Sequence, residues 1–201
     1  MNKLVSGLAV ILMIMISVRY FDLRIASLIL EYTGRNFQFS HVVSGMPDML
    51  LLIVIAVSIS CWTGYFLLFR RSISDRRTLL FQILGTSLPA AYVAKDLLKW
   101  LFGRVNTRLW LTEQHPYAFH WFHGSQDFHG FPSGHMLVLT PIFLSLWHYS
   151  PKLRLPALLL WFGLGAALLI TEYHFLGDVI AGAYAGFLIH YAADRYFRHA
   201  P

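Results

Sequence analysis

Apolar residues fall in long blocks along this chain, and polar residues gather in the short segments between the blocks. About 20 apolar residues in a helix cross the hydrocarbon layer of a membrane. The pattern therefore predicts an all-α integral membrane protein with about six transmembrane helices in one bundle. The predicted spans run from about Leu4 to Val18, Met49 to Phe69, Thr78 to Phe102, Ser133 to Tyr149, Leu155 to Thr171 and His174 to Tyr196.

The composition agrees with a membrane protein. Hydrophobic residues make up 57% of the 201 positions and charged residues only 13%, about half the charged share of soluble domains. The net charge of +6 does not indicate a nucleic-acid partner, because the basic residues stand in short clusters between apolar blocks. We predict a single membrane-embedded domain over 1–201, with a core at about 48–196. Residues 1–47 would form the first span and an external segment.

Basic residues predict the orientation, because they concentrate in cytoplasmic loops. The relevant residues are Arg70, Arg71, Arg76 and Arg77 after the second span, Lys152 and Arg154 after the fourth, and Arg195 and Arg198 after the sixth. Both termini are then expected in the cytoplasm of a bacterial cell, with the protein in the inner membrane. The loop at 103–132 and the segments at 22–47 and 171–174 would face the periplasm.

Three polar clusters fall on that same predicted face. They are Lys95, Asp96, Lys99, Gly103, Arg104, Asn106, Arg108 and Trp110; then Pro132, Ser133, Gly134 and His135; then Glu172, Tyr173, His174, Gly177 and Asp178. Ionisable groups at helix ends are costly in a membrane unless they serve a water-filled site. The clusters therefore predict an anion-binding active site at the non-cytoplasmic membrane surface.

The first two clusters contain groups that suit a phosphate. Lys99 and Arg104 lie on either side of Gly103, which is expected to end a helix, and they would bracket the anion. Ser133 is placed to cap the next helix, whose first amides carry partial positive charge. Gly134 allows the anion to approach the backbone closely.

The histidines supply acid–base and nucleophilic chemistry. His135 would lie beside the bound anion and donate a proton to a departing oxygen. His174 and Asp178 are four residues apart and would share one face of a helix. A carboxylate on one ring nitrogen would leave the other nitrogen free to attack phosphorus.

These motifs together resemble the type-2 phosphatidic acid phosphatase superfamily, which also includes soluble bacterial acid phosphatases and vanadium haloperoxidases. The resemblance covers about residues 48–190. It implies a helical membrane enzyme that cleaves phosphate esters or anhydrides without a metal or other cofactor. It also implies His174 as nucleophile, Asp178 as its orienting group and His135 as general acid, with phosphate held by Lys99, Arg104, Ser133 and Gly134.

Two motifs depart from the family pattern. The first motif usually places Arg-Pro seven residues after its Lys, where this chain has Asn106 and no Pro. Arg104 with Trp110 matches a Gly-Arg variant of the motif. Arg108 is a competing candidate for the phosphate-binding Arg. The third motif usually begins Ser-Arg, where this chain has Ala167 and Leu168. Arg108 is a candidate replacement for that missing Arg.

Two further patterns have structural explanations. The loop histidines His115, His120, His123 and His129 lack the spacing and carboxylate or thiol partners of a metal site, and we interpret them as loop or substrate-entrance residues. Gly182 and Gly186, with Ala181 and Ala185, predict close helix packing in the sixth span.

The leading functional hypothesis is a lipid phosphate or pyrophosphate phosphatase acting on a phosphatidate, phosphatidylglycerophosphate, undecaprenyl pyrophosphate or lipid A class of substrate. Its partner would be the lipid substrate in the bilayer, with no obligate protein partner. A phosphotransferase that passes phosphate from undecaprenyl pyrophosphate to lipid A uses the same first step. An alternative of another class is a histidine-rich metal- or haem-binding protein, or a non-catalytic lipid-binding protein.

Overall fold

The computed structural model describes residues 3–33, 46–73, 75–113 and 116–199. These residues form an all-helical fold. The α-helices, numbered along the chain, are α1 (Lys3–Ile16), α2 (Asp22–Thr33), α3 (Met46–Arg70), α4 (Arg76–Phe102), α5 (Thr107–Glu113), α6 (Gly134–Tyr149), α7 (Arg154–Ile170) and α8 (Leu176–His199). His115 and most of the predicted external segment at 22–47 lie outside the described residues.

Helices α3, α4, α6, α7 and α8 begin and end within three residues of the second to sixth predicted spans. The first span differs from its prediction. A π-helical turn at Ser17–Phe21 joins α1 directly to α2, so helical structure continues to Thr33. Asp22–Thr33 contains neither Gly nor Pro, and nothing in that sequence ends the helix where the apolar block ends.

Four helical stretches among the described residues are long and apolar enough to cross a membrane, namely Leu4–Thr33, Met49–Arg70, Pro151–Ile170 and Leu176–His199. The third and fourth predicted spans do not meet both conditions. Helix α6 has only 16 residues, and α4 carries charged residues at both ends with polar residues between them. Both helices pack against several others, so they expose less surface that must be apolar.

Helix α4 has clear signals at both ends. The carboxylate of Asp75 accepts hydrogen bonds from the amides of Arg77 and Thr78, at 2.8 and 3.3 Å, and caps the helix start. Gly103 ends the helix in a left-handed conformation with φ 50°, and a Cβ there would lie 1.8 Å from the carbonyl oxygen of His120. Only glycine fits this turn, which delivers Arg104 into the protein interior directly after the helix.

Helices α4, α6 and α8 pack together at the centre of the molecule. A Cβ on Gly182 would lie 2.3 Å from the carbonyl oxygen of Ser133, and one on Gly186 would lie 2.5 Å from that of Leu137. The close packing predicted from these glycines is confirmed, with α6 as the partner of α8. This contact brings the start of α6 against the start of α8, where the polar clusters lie.

Candidate active site

The start of α6 forms one wall of the candidate site. Ser133 is fully buried and caps the helix, with its Oγ accepting a hydrogen bond from the Met136 amide at 3.5 Å. The Ser133 amide donates to the carbonyl oxygen of Asp178 at 3.0 Å, which ties α6 to α8. The remaining first-turn amides of α6 point out of the helix start, a geometry that favours an anion.

Two lysines of α4 lie against this helix start. A Cβ on Gly134 would meet the Lys95 side chain at 2.8 Å and Cε of Lys99 at 3.6 Å. Lys95 is already engaged, since its Nζ lies 3.1 Å from Asp96 and over the ring of Tyr92.

Lys99 has no ion-pair partner within the described ranges, and its amine interacts electrostatically with His135 and His174. Lys99 is therefore the cation at this wall that is available to a ligand.

His174 lies in the loop between α7 and α8 and is 3% exposed. Its Nδ1 is 3.0 Å from the carbonyl oxygen of Gly130, so Nδ1 carries the proton and donates it there. Its Nε2 is buried and has no hydrogen-bond partner among the described residues. Burial lowers the pKa of His174, which outweighs the raising effect of the neighbouring Asp178. The ring is therefore neutral near pH 7, with a lone pair on Nε2.

Asp178 is near His174 but holds a different position from the one expected. Its Oδ2 is 3.7 Å from Nδ1 of His174, beyond hydrogen-bond distance. Oδ2 instead accepts a hydrogen bond from the Phe175 amide at 2.9 Å, and Oδ1 accepts one from Arg104. His174 precedes α8 rather than lying on it, so the shared helical face predicted from the spacing does not form. Asp178 fixes the loop that carries His174.

Arg104 lies at the centre of a buried ion-pair network and is fully buried. One guanidinium nitrogen, Nη1, donates to Asp178, while Nη2 donates to Asp22 at 2.7 Å and to the hydroxyl of Tyr117. Asp22, which is 1% exposed, also accepts from the Gly177 amide at 2.8 Å. Two carboxylates thus share one guanidinium. Because its terminal nitrogens are bound within the protein, Arg104 is not presented to a ligand as the sequence predicted.

Aromatic rings surround that guanidinium. Its central carbon lies 4.7 Å from the ring centres of both Tyr117 and Phe175, and 5.2 Å from that of Phe119. Burial raises the pKa of Tyr117, so its hydroxyl stays protonated and donates to the carbonyl oxygen of Val18 at 2.8 Å. The charged groups of the network are therefore buried, and the network connects the junction of α1 and α2, the loop after α4 and the start of α8.

His135 and His174 both contact Tyr173. The Tyr173 ring centre lies 5.5 Å from that of His135 and 5.1 Å from that of His174. The two imidazoles come from different segments, at the start of α6 and just before α8, and they meet at one end of the bundle. Two imidazoles at one site can supply a nucleophile and a proton donor to the same substrate.

Arg108, from α5, reaches the edge of the same group. Its Nη2 donates to the carbonyl oxygen of Thr171 at 2.9 Å, and its guanidinium carbon lies 5.5 Å from the Tyr173 ring centre. Arg108 is half-buried and lies against the loop that carries His174. Unlike Arg104, it has no carboxylate partner within hydrogen-bond distance among the described residues.

Sequence analysis did not assign several of these residues to the site. Asp22 belongs to the segment expected to be external, and Gly130 acts only through its carbonyl oxygen. His129 was grouped with the loop histidines, yet it interacts electrostatically with Lys99, and burial together with that lysine lowers its pKa. His120 and His123 instead pack on Phe128, with ring centres 4.5 and 4.8 Å away. The one clue in the sequence was at Asp22, a carboxylate that follows the first apolar block.

The geometry provides a neutral imidazole with a free nitrogen, a second imidazole, an available lysine and a helix start, all at one end of the bundle. The PAP2 superfamily model matches residues 80–200, which include every one of these groups. This match covers more than half of the chain, and the chain belongs to the PAP2 superfamily. Comparison with curated proteins and with solved structures gives no significant match. Membership of this superfamily supports a hydrolase of the phosphatase type.

Proposed function

We propose that this protein is a metal-independent lipid phosphate or pyrophosphate phosphatase that works through a phosphohistidine at His174. The observation that carries the proposal is the state of that ring: it is buried, its Nδ1 proton is bound to Gly130, and its Nε2 is unpartnered among the described residues. An imidazole held in this tautomer is a competent nucleophile.

In the proposed first step, the Nε2 lone pair of His174 attacks phosphorus and the bond from phosphorus to the leaving oxygen breaks. For this step His135 must carry a proton in the complex with the anionic phosphate; it gives that proton to the departing oxygen, which leaves as an alcohol or as a lipid phosphate. In the second step, His135 takes a proton from water as the water oxygen attacks phosphorus. The P–N bond then breaks, its electron pair returns to Nε2, and inorganic phosphate is released.

Positive groups would stabilise the phosphoryl oxygens in both steps. We propose Lys99, the amides after Ser133 at Gly134 and His135, and Arg108 as the phosphate-binding set. Arg108 would occupy the role of the arginine that the third motif lacks. Arg104 would serve as a positioning residue, holding Asp178 and through it the loop that carries His174.

A direct assay tests this function. Purified protein would be given phosphatidate and, separately, undecaprenyl pyrophosphate, and released phosphate would be measured with a chelator present. We expect hydrolysis that survives the chelator and is lost in His174→Ala, while His148→Ala, at an exposed position at the other end of α6, keeps wild-type rates. Chelator-sensitive turnover, or turnover that survives His174→Ala, would refute the mechanism.

The membrane arrangement is part of the proposal. We propose six spans from the apolar blocks, and both termini in the cytoplasm with a periplasmic site from the basic loops. Since Cys61 is the only cysteine, a Cys61→Ser background allows single cysteines to be placed at the exposed positions Gly124 and Lys152. An impermeant thiol reagent added to intact cells should label Gly124→Cys and not Lys152→Cys; the reverse pattern would invert the topology.

A further inference from the structure

An apolar cavity of about 680 Å³ lies between α1, α6, α7 and α8. Its lining includes Val10 and Met13 from α1, Met136 from α6, Leu169 from α7, and Leu176 and Val179 from α8. Two polar groups in its wall satisfy each other, because the Trp161 indole nitrogen donates to the Thr140 hydroxyl at 3.0 Å. Apart from the hydroxyl of Tyr184, the other lining side chains are apolar and bind water poorly.

The cavity begins directly beside the candidate active site. Met136 follows His135 in the chain, and Leu176 comes two residues after His174. Tyr173 connects the two regions, since it touches both imidazoles and packs on the cluster of Met136, Leu168 and Val179. The polar site and the apolar cavity therefore share a wall.

A second apolar cavity, of about 440 Å³, continues along α1 and α8. It shares Val10, Tyr184 and Phe187 with the first cavity and extends to Tyr191. The distance along α8 from Leu176 to Tyr191 is about 22 Å at the usual helical rise of ~1.5 Å per residue. Together the two cavities form an apolar groove that runs most of the way across a hydrocarbon layer of about 30 Å.

We infer that this groove binds one hydrocarbon chain of the substrate lipid while its phosphate occupies the site at His135 and His174. The charge pattern fits a single molecule with an anionic head and a long apolar tail: Lys99 and the start of α6 stand at one end, and apolar side chains follow. This inference rests on the proposed function for the head-group end. One wall of the groove, α1, lies outside the region matched by the family model, so chain selection would be a property of this protein.

Substitutions on α7 test the groove. Ala166 lines the first cavity, whereas the adjacent Ala167 does not, and both are exposed. Ala166→Phe should fill the groove, and Ala167→Phe adds the same side chain outside it. We would measure kcat/KM for a long-chain phosphatidate and for a short-chain, water-soluble phosphatidate. Activity on the short-chain substrate reports that each variant is folded.

We expect Ala166→Phe to reduce the preference for the long chain by about tenfold or more, equivalent to losing the burial of about two methylene groups. Ala167→Phe should keep the wild-type preference. Equal preference in wild type and Ala166→Phe would overturn the groove as the chain site. A wild-type protein that hydrolyses neither substrate would instead refute the proposed function.

A binding measurement does not depend on turnover. A phosphatidate with a photoreactive group on its acyl chain would be crosslinked to the purified protein, and the labelled peptides mapped. We expect label on α7 and α8 that unlabelled phosphatidate displaces and diacylglycerol does not. Label that is spread over all helices, or that neither lipid displaces, would show only bulk lipid contact and would overturn the inference.

Discussion

The guanidinium of Arg104 lies 2.7 Å from the carboxylate of Asp22, and neither side chain is more than 1% exposed. The pair joins the junction of α1 and α2 to the loop that follows α4, across 82 positions of sequence. The same carboxylate also binds the Gly177 amide in the first turn of α8. The N-terminal helix is thus attached to the segment that carries the candidate nucleophile.

Removing this carboxylate should destabilise the protein. Asp22→Ala leaves Arg104 with Asp178 as its one carboxylate partner and leaves the Gly177 amide unpaired. We expect a loss of about 3 kcal/mol in the free energy of unfolding, because the buried guanidinium loses one of its two carboxylates and a buried amide loses its acceptor. Denaturant titration in detergent measures it, with Asp127→Ala at an exposed carboxylate as control. Equal stability of the two variants would contradict the role of the pair.

The contact between α6 and α8 should not tolerate a methyl group. Gly182→Ala would place a Cβ against the Ser133 carbonyl oxygen, and we expect it to cost about 2 kcal/mol through overpacking. Gly163→Ala is the matched control, since a Cβ at Gly163 meets nothing within 4 Å. It should instead stabilise α7 by up to about 1 kcal/mol, the difference in helix propensity. Thermal unfolding measures the stability of both variants. A Gly182→Ala protein as stable as Gly163→Ala would refute the close contact.

Lys99 should contribute to phosphate binding through its charge. Lys99→Met is expected to lower kcat/KM by about 100-fold, the effect of losing one group that stabilises developing charge. Lys99→Arg should recover part of that loss. Lys152→Met, at an exposed position after α6, should leave kcat/KM unchanged. Steady-state kinetics on a lipid phosphate provides the measurement. Wild-type kcat/KM in Lys99→Met would remove this lysine from the site.

The pH profile should report the lowered pKa of His174. A lowered pKa means that the ring is neutral at pH 7 and becomes protonated, and inactive, only when the pH falls below the usual histidine range near 6.5. The acidic limb of kcat/KM should therefore lie below that range. Asp178 acts to raise this pKa, so Asp178→Asn should move the limb further toward acid, whereas His148→Gln should not move it. An acidic limb above the usual range, or one unmoved by Asp178→Asn, would contradict the assignment.

Local signals in the sequence predicted much of the architecture. Five of the helices could be predicted within three residues because apolar blocks end at caps and glycines such as Ser133 and Gly103. The contact at Gly182 was predictable because small residues at helical spacing permit close approach. Membrane crossing by α4 and α6 stays a prediction, since hydropathy identifies helices that face lipid better than helices that pack at the centre.

The partners of the site residues were harder to predict. The pairing of Asp22 with Arg104 depends on how a distant helix packs, and neither residue's neighbours in sequence indicate the other. The acceptor for His174 is a backbone carbonyl at Gly130, and any residue type provides one. The spacing of His174 and Asp178 suggested a helical pair, but a helix that begins at Leu176 places the histidine in the preceding loop.

The proposed mechanism requires that the Nε2 atom of His174 bonds to phosphorus during turnover. Rapid quenching into base during hydrolysis, where a phosphohistidine survives, followed by peptide mapping, tests it most directly. We expect one phosphoryl group on the peptide that contains His174, absent from His174→Ala and present in His148→Ala. Steady turnover with no phosphorylated peptide, or with the phosphoryl group on another residue, would contradict it.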